Sequence, residues 1–186
     1  MKSFLEFGNQ SRYSFRPITE GVNYKWPKGK GLAVYLAVNL EVYDLNATCF
    51  DTFVPNSAKP DIINYCWLDW GNRVGAWRLL EAINEYEIPT TALINTNLYN
   101  TRPGLVEAWR SVGCEIAAHG RTNGETQANM SEKEETELIA EVTDSIIKNE
   151  EAPPKGWLSP WLAETPLTLD LLAEAGYKYV LDWCAD

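Results

Sequence analysis

From Gly31 to Tyr43 the chain reads GLAVYLAVNLEVY, an apolar run broken only near its end by Asn39 and Glu41. A strand buried on both faces carries apolar side chains at nearly every position, whereas a half-exposed strand alternates apolar with polar. Such a strand needs a layer on each side, and the rest of the sequence supplies helices to form them. Arg73 to Glu87 places Val74, Trp77, Leu80, Ala82 and Ile83 along one helical stripe. Pro89 then opens a strand, Thr90 to Asn95. A short helix is predicted from Pro103 to Val112, with Gly113 as its stop. Cys114 to His119 reads as the next strand, and Ser131-Glu132-Lys133-Glu134 is a capping box opening a helix that runs to about Lys148. Gly156 to Pro160 is a short strand or turn, Thr165-Pro166 begins a helix that Gly176 ends, and Tyr177 to Trp183 is a last strand. No segment repeats at a fixed period.

Strands alternating with helices predict an α/β fold with parallel strands and crossover helices. Residues 1–30, rich in Gly, Pro, Lys and aromatics, are expected to be an irregular leader wrapping the domain formed by residues 31–186. Residues 44–72 read as a long connection without regular structure, a kind of segment that is often functional. The final strand has no helix after it, which predicts an incomplete barrel in a chain truncated at its C-terminal side.

In such folds ligands gather at the carboxyl ends of the strands. Those ends carry Asn39 and Glu41, Asn95 and Asn97, His119 and Asn123, Ser159 and Trp161, and finally Asp182 and Asp186. His119 is the only histidine in the chain, and an imidazole at a strand end can bind a metal or exchange a proton near neutral pH. One imidazole among carboxylates and amides is equipped to bind a small polar molecule and move protons. Taken singly, the Asn, Asp and Ser residues are equally explained as turn formers.

Composition narrows the partners. A net charge of −10 argues against sequence-independent binding to nucleic acid and against an anionic membrane surface. The four cysteines form no Cys-x-x-Cys pair, and no stretch has the length of a membrane-spanning helix or the run of a signal peptide. The expectation is a cytoplasmic protein with a small-molecule or sugar substrate, and with homo-oligomerisation left open.

Four blocks in order resemble the polysaccharide deacetylase superfamily, the NodB-homology carbohydrate esterases: Val38-Asn39-Leu40-Glu41-Val42-Tyr43, His119-Gly120-Arg121-Thr122-Asn123, Gly156-Trp157-Leu158-Ser159-Pro160-Trp161 and Leu181-Asp182-Trp183-Cys184-Ala185-Asp186. The resemblance spans roughly residues 20–186. It implies an incomplete (β/α) barrel that hydrolyses N- or O-acetyl groups of sugars, with a general base and a divalent metal, zinc, held by an acid and two histidines. Here Asn39 stands where the base is expected, Glu41 at the metal-ligand position and His119 at the first histidine. Asn123 replaces the second histidine, and Leu158 replaces an arginine. Glu125 is a candidate third ligand. An Asn-x-Glu first block with a single His-Gly block is similar to the allantoinase-like branch, which implies hydrolysis of a non-peptide carbon–nitrogen bond, with a metal or without one.

On that resemblance Glu41 and His119 are the catalytic and metal-site candidates. Asn39, Arg121, Asn123, Trp157, Trp161, Asp182 and Asp186 are the substrate-binding candidates. The alternatives are an inactive relative that binds a carbohydrate or ureide, and a fragment of a longer enzyme.

Overall fold

The computed structural model describes residues 12–21, 25–46 and 59–183. The chain divides into two compact units, Met1–Val34 and Tyr35–Asp186. In the first, short 3₁₀ turns at Ile18–Glu20 and Pro27–Gly29 are the regular structure described, and Trp26 bridges Lys30.

The second unit carries a five-stranded parallel sheet in the order β1-β2-β3-β4-β5. The strands are β1 Leu36–Leu40, β2 Thr90–Ile94, β3 Glu115–Ala118, β4 Gly156–Trp157 and β5 Tyr179–Val180. Between them lie α1 Ile62–Trp70, α2 Ala76–Glu85, α3 Leu98–Thr101, α4 Pro103–Ser111, α5 Glu132–Glu150 and α6 Thr168–Glu174. A π-helical turn, Gly71–Gly75, joins α1 to α2. Spatial order equals chain order, so every strand end lies beside the next along one rim, and the sheet is an incomplete, unclosed barrel.

Two apolar clusters hold the helices to the strands. One packs Leu80 and Ile83 of α2 and Leu105, Val106 and Trp109 of α4 against Leu40, Ala92 and Ile94. The other packs Leu138, Ile139, Val142 and Ile146 of α5 and Leu172 of α6 against Ala118 and Trp157. The capping box is present in full: the Ser131 side chain accepts from the Glu134 backbone, and Glu134 accepts from the Ser131 backbone.

Three expectations are corrected. The first strand is five residues long, and of these only Leu40 is buried, because among the described residues β1 stands at an edge of the sheet with a partner strand on one side. Leu32 and Val34, upstream, are exposed. The connection 44–72 is not without structure: Asp61 caps α1 by accepting from the Asn64 backbone at 3.1 Å. The last strand is also an edge strand, half-buried and two residues long. Among the described residues no helix is long and apolar enough to cross a membrane.

Candidate active site

The ends of β1, β2 and β3 are laced together by the ladder itself and by one side chain. Asn95 follows β2 and is fully buried. Its Oδ1 accepts from the Val42 backbone at 2.8 Å, and its Nδ2 donates to the His119 carbonyl. A single amide therefore spans from the Glu41 segment to the His119 segment. The π-helical turn adds a second brace, since Asn72 Nδ2 donates to the Glu41 carbonyl at 2.7 Å. Turns of this kind, with one residue too many for an α-helix, recur at functional sites.

These braces hold the Glu41 carboxylate in a set of donors. Asn39 Nδ2 lies 3.1 Å from Oε1, the Tyr43 hydroxyl donates to Oε2 at 2.6 Å, and His119 Nε2 lies 3.3 Å from Oε1. Burial pushes the Glu41 carboxyl up, but the hydrogen bonds from His119, Tyr43 and Asn39, with the His119 charge, outweigh it and hold the group below its ordinary value. His119 is itself buried, and its Nδ1 donates to the Leu158 carbonyl at 2.7 Å. With the Nδ1 proton committed there, Nε2 is the nitrogen turned to chemistry.

Glu41 and His119 open on a cavity of about 340 Å³ lined also by Asn39, Tyr43, Asn123, Ser159 and Trp161. Gly120, next to His119, has φ +66°, and a Cβ there would fall 2.8 Å from the Pro160 ring. Glycine is thus what lets the β3 loop pass under the β4 loop. That second loop carries Trp161 at φ 64°, an uncommon conformation for a bulky residue, and its indole Nε1 donates to the Asn123 carbonyl at 2.8 Å.

The remaining candidates go elsewhere. Trp157 is fully buried away from this cavity, edge-on to Tyr177 at 5.4 Å between ring centroids, with Nε1 donating to Ser159 Oγ. As the last residue of β4 it points into the helix-covered core, whereas Trp161 lies beyond the turn. The Arg121 guanidinium is held by Glu125 and Glu141, so both Arg121 and Glu125 are engaged in an ion-pair cluster beside a separate polar cleft. Asp182 accepts from the Ser159 backbone at 2.7 Å, and burial pushes its carboxyl up. Burial, and then the Asp182 carboxyl beside it, push Glu164 up to about 7 against the hydrogen bond from Trp183. Asp186 lies outside the described residues.

Sequence reading missed the roles of Asn95, Tyr43 and Asn72. Asn95 and Tyr43 lay at strand ends already in view; Asn72 gave no signal, since its place depends on the π-helical turn.

The matches with known proteins bear on the family and the fold. A family model described as polysaccharide deacetylase matches residues 56–180, more than half of the chain. The chain belongs to the polysaccharide deacetylase family. A peptidoglycan deacetylase from Helicobacter pylori is 26% identical over 110 residues, covering 59% of this chain and 37% of its own length. A polysaccharide deacetylase from Mycobacterium smegmatis, described as putative, superposes with TM-score 0.69 at 24% identity over 86% of this chain and 54% of its own. A Puue allantoinase superposes with TM-score 0.74 at 22% identity over 95% of this chain and 63% of its own. These structures establish the shared fold, and the chain spans about a third of the length of the curated relatives it matches, 37% and 33%.

A divalent metal is what the family resemblance implies, and the donors beside Glu41 and His119 test it. Zinc in proteins takes three or four ligands drawn from imidazole, thiolate and carboxylate. Among the described residues no three His, Cys, Asp or Glu side chains stand together as a metal site. The third group here is the neutral amide of Asn123, and Glu125 is held by Arg121. This donor set does not fit a zinc centre.

Proposed function

We propose that this polysaccharide deacetylase family member hydrolyses a non-peptide carbon–nitrogen bond in a small ureide or an N-acetylated sugar. The observation that carries the reading is the contact of His119 Nε2 with Glu41 Oε1 at 3.3 Å, with Nδ1 already committed to Leu158. An imidazole nitrogen and a carboxylate oxygen in contact share a proton between them, which is the arrangement needed to take one proton and give another.

Water attacks the carbonyl carbon while the Glu41 carboxylate takes one of its protons. The carbonyl π pair moves to oxygen. As the tetrahedral adduct collapses, the C–N bond breaks, and His119 Nε2 delivers its proton to the departing nitrogen. The proton on Glu41 then returns to His119, and one water has been consumed. Tyr43 and Asn39 hold the carboxylate in place throughout, and Trp161 walls the cavity.

Asn39 favours a second reading, a silent relative that binds the same ligands, because an amide stands where the family places its base. Hydrolysis of a panel of ureides and acetamides separates the two. Under the first reading the wild type turns over a member of the panel, and Glu41→Gln and His119→Ala abolish turnover while their circular dichroism is unchanged. Full activity in both variants overturns the assignment. Saturable binding of a ureide or sugar without turnover supports the second reading.

A further inference from the structure

Asn123 is 4% exposed, and its backbone groups and side-chain Nδ2 are tied down. Its N–H donates to the Val42 carbonyl at 2.8 Å, its carbonyl accepts from Trp161 Nε1 at 2.8 Å, and its Nδ2 donates to the Tyr43 hydroxyl oxygen at 3.1 Å. The last contact settles which end of the amide faces which way. Tyr43 has one hydroxyl proton and gives it to the Glu41 carboxylate at 2.6 Å. Toward Asn123 the hydroxyl oxygen can therefore only accept, and Asn123 must present its NH₂. A flipped amide would set two acceptors against each other.

The amide oxygen is left without a partner. Asn123 Oδ1 is a buried acceptor with no hydrogen bond, on a side chain that lines the 340 Å³ cavity with Glu41 and His119. Buried acceptors are nearly always satisfied, so an orphan on a side chain that lines a cavity marks a place for a donor. Among the described residues no donor stands within hydrogen-bonding reach of it.

We propose that Asn123 Oδ1 is the receptor for a substrate N–H, so that the site selects a ureide or amide bearing a free N–H over an ester or a fully substituted amide. The inference rests on the hydrolase reading of the same cavity and narrows its substrate class. An N–H donor meets an acceptor whose orientation is set in advance, through Tyr43, by the carboxylate that takes the water proton. An ester or an N,N-disubstituted amide leaves that acceptor buried and unpaired, and sites built this way reject the analogue lacking the donor.

Calorimetric titration of hydantoin and of 1,3-dimethylhydantoin into wild type and Asn123→Leu tests the proposal. Leucine keeps the branched outline of the side chain and removes the acceptor, so a purely steric preference survives in the variant while a hydrogen-bond preference does not. The wild type should prefer hydantoin by about tenfold or more, the scale of one buried hydrogen bond, and the ratio should fall toward one in Asn123→Leu. Equal affinity of the wild type for both probes, no binding of either, or a preference retained in the variant overturns it. Equal affinities of the wild type overturn the proposal even where Asn123→Leu fails to fold, and there Asn123→Ala supplies the variant arm. Turnover of any ureide or acetamide, lost in Glu41→Gln, alongside equal probe affinities sinks this inference and leaves the hydrolase reading standing; absence of both turnover and binding sinks both.

Discussion

Asn95→Leu is the most direct challenge to the idea that one buried amide sets the geometry between Glu41 and His119. The native side chain is fully buried, accepts from Val42 N at 2.8 Å and donates to the His119 carbonyl. Leucine, with the same branched outline, fills the space but strands one backbone donor and one backbone acceptor. Each stranded buried group costs about 1–3 kcal/mol, and extra apolar burial returns part of that. A net loss of roughly 2–4 kcal/mol is expected, readable as a lower urea midpoint with an unchanged slope.

The same substitution should disturb the site at a distance. With the brace gone, the Glu41 and His119 segments keep their pairing to β2 and the Asn123 bonds to Val42 and Tyr43 but lose the direct amide link, and misplacement by about 1 Å can cost ~100-fold in rate. A structural readout comes free of assignment, because the chain has a single histidine. Its imidazole C–H resonances are read by proton NMR without overlap from another histidine. They should shift in Asn95→Leu, and similarly in Glu41→Gln, if the brace holds the Glu41 contact. A variant within about 0.5 kcal/mol of wild type, with its histidine resonances superimposable, would refute the reasoning.

Other perturbations have equally definite outcomes. Glu164 has a folded value raised to about 7, so the stability it contributes is complete below its ordinary 4.5 and is lost as pH rises through about 7; Glu164→Gln should therefore gain melting temperature relative to wild type between pH 4.5 and 8, and a pH-independent difference would count against the raised value. Glu135 is fully buried and accepts from Gln127, Thr165 and Thr168, so Glu135→Ala should lose roughly 2–5 kcal/mol in chemical denaturation as three donors lose their acceptor; a loss below about 1 kcal/mol would show that water replaces it. Trp161→Gly removes the cavity wall and relieves a φ of 64°, so ligand affinity should fall while thermal stability changes little; a large drop in melting temperature would make Trp161 a packing residue. Zinc loading followed by metal analysis should find no tight equivalent that depends on His119, and one tight equivalent lost in His119→Ala would overturn the misfit of the donor set.

How much of this was legible in the sequence follows the range of the interaction that decides each feature. The α5 start is written in four consecutive residues, Ser131 to Glu134, and the structure closes both bonds of that box. The order of strands and helices comes from periodicity within a dozen residues, and it held well enough to bring Glu41, His119 and Asn123 to one rim. The burial of β1 was misjudged because it depends on a neighbour strand, and no local pattern distinguishes an edge from a centre when the residues are apolar. Trp157 and Trp161 share one block and one residue type, yet one is core and the other lines the cavity. The turn between them, with its positive φ at Trp161, makes the difference, and only glycine or asparagine would have announced it.

Asn123 shows the limit most sharply. Its place at a strand end was readable, but the direction of its amide is set by a hydroxyl 80 positions away, which is itself set by a carboxylate two residues from that hydroxyl. A polar residue at a strand end has a place from the fold and a chemical identity from its neighbours' protons. The carboxylate that orients Asn123 is also the one proposed to accept the water proton, so protonating Glu41 would free the Tyr43 hydroxyl to turn and the Asn123 amide to flip. The acceptor for a substrate N–H and the base for water are then one coupled unit, present together while Glu41 is ionised. Because Glu41 is held below its ordinary 4.5, that unit stays intact down to pH values where an unassisted carboxylate would already be half protonated. Preference for hydantoin over its dimethyl derivative should therefore persist through pH 4.5 and collapse only below it, and a collapse centred above pH 5 would show that Glu41 does not hold the amide in place.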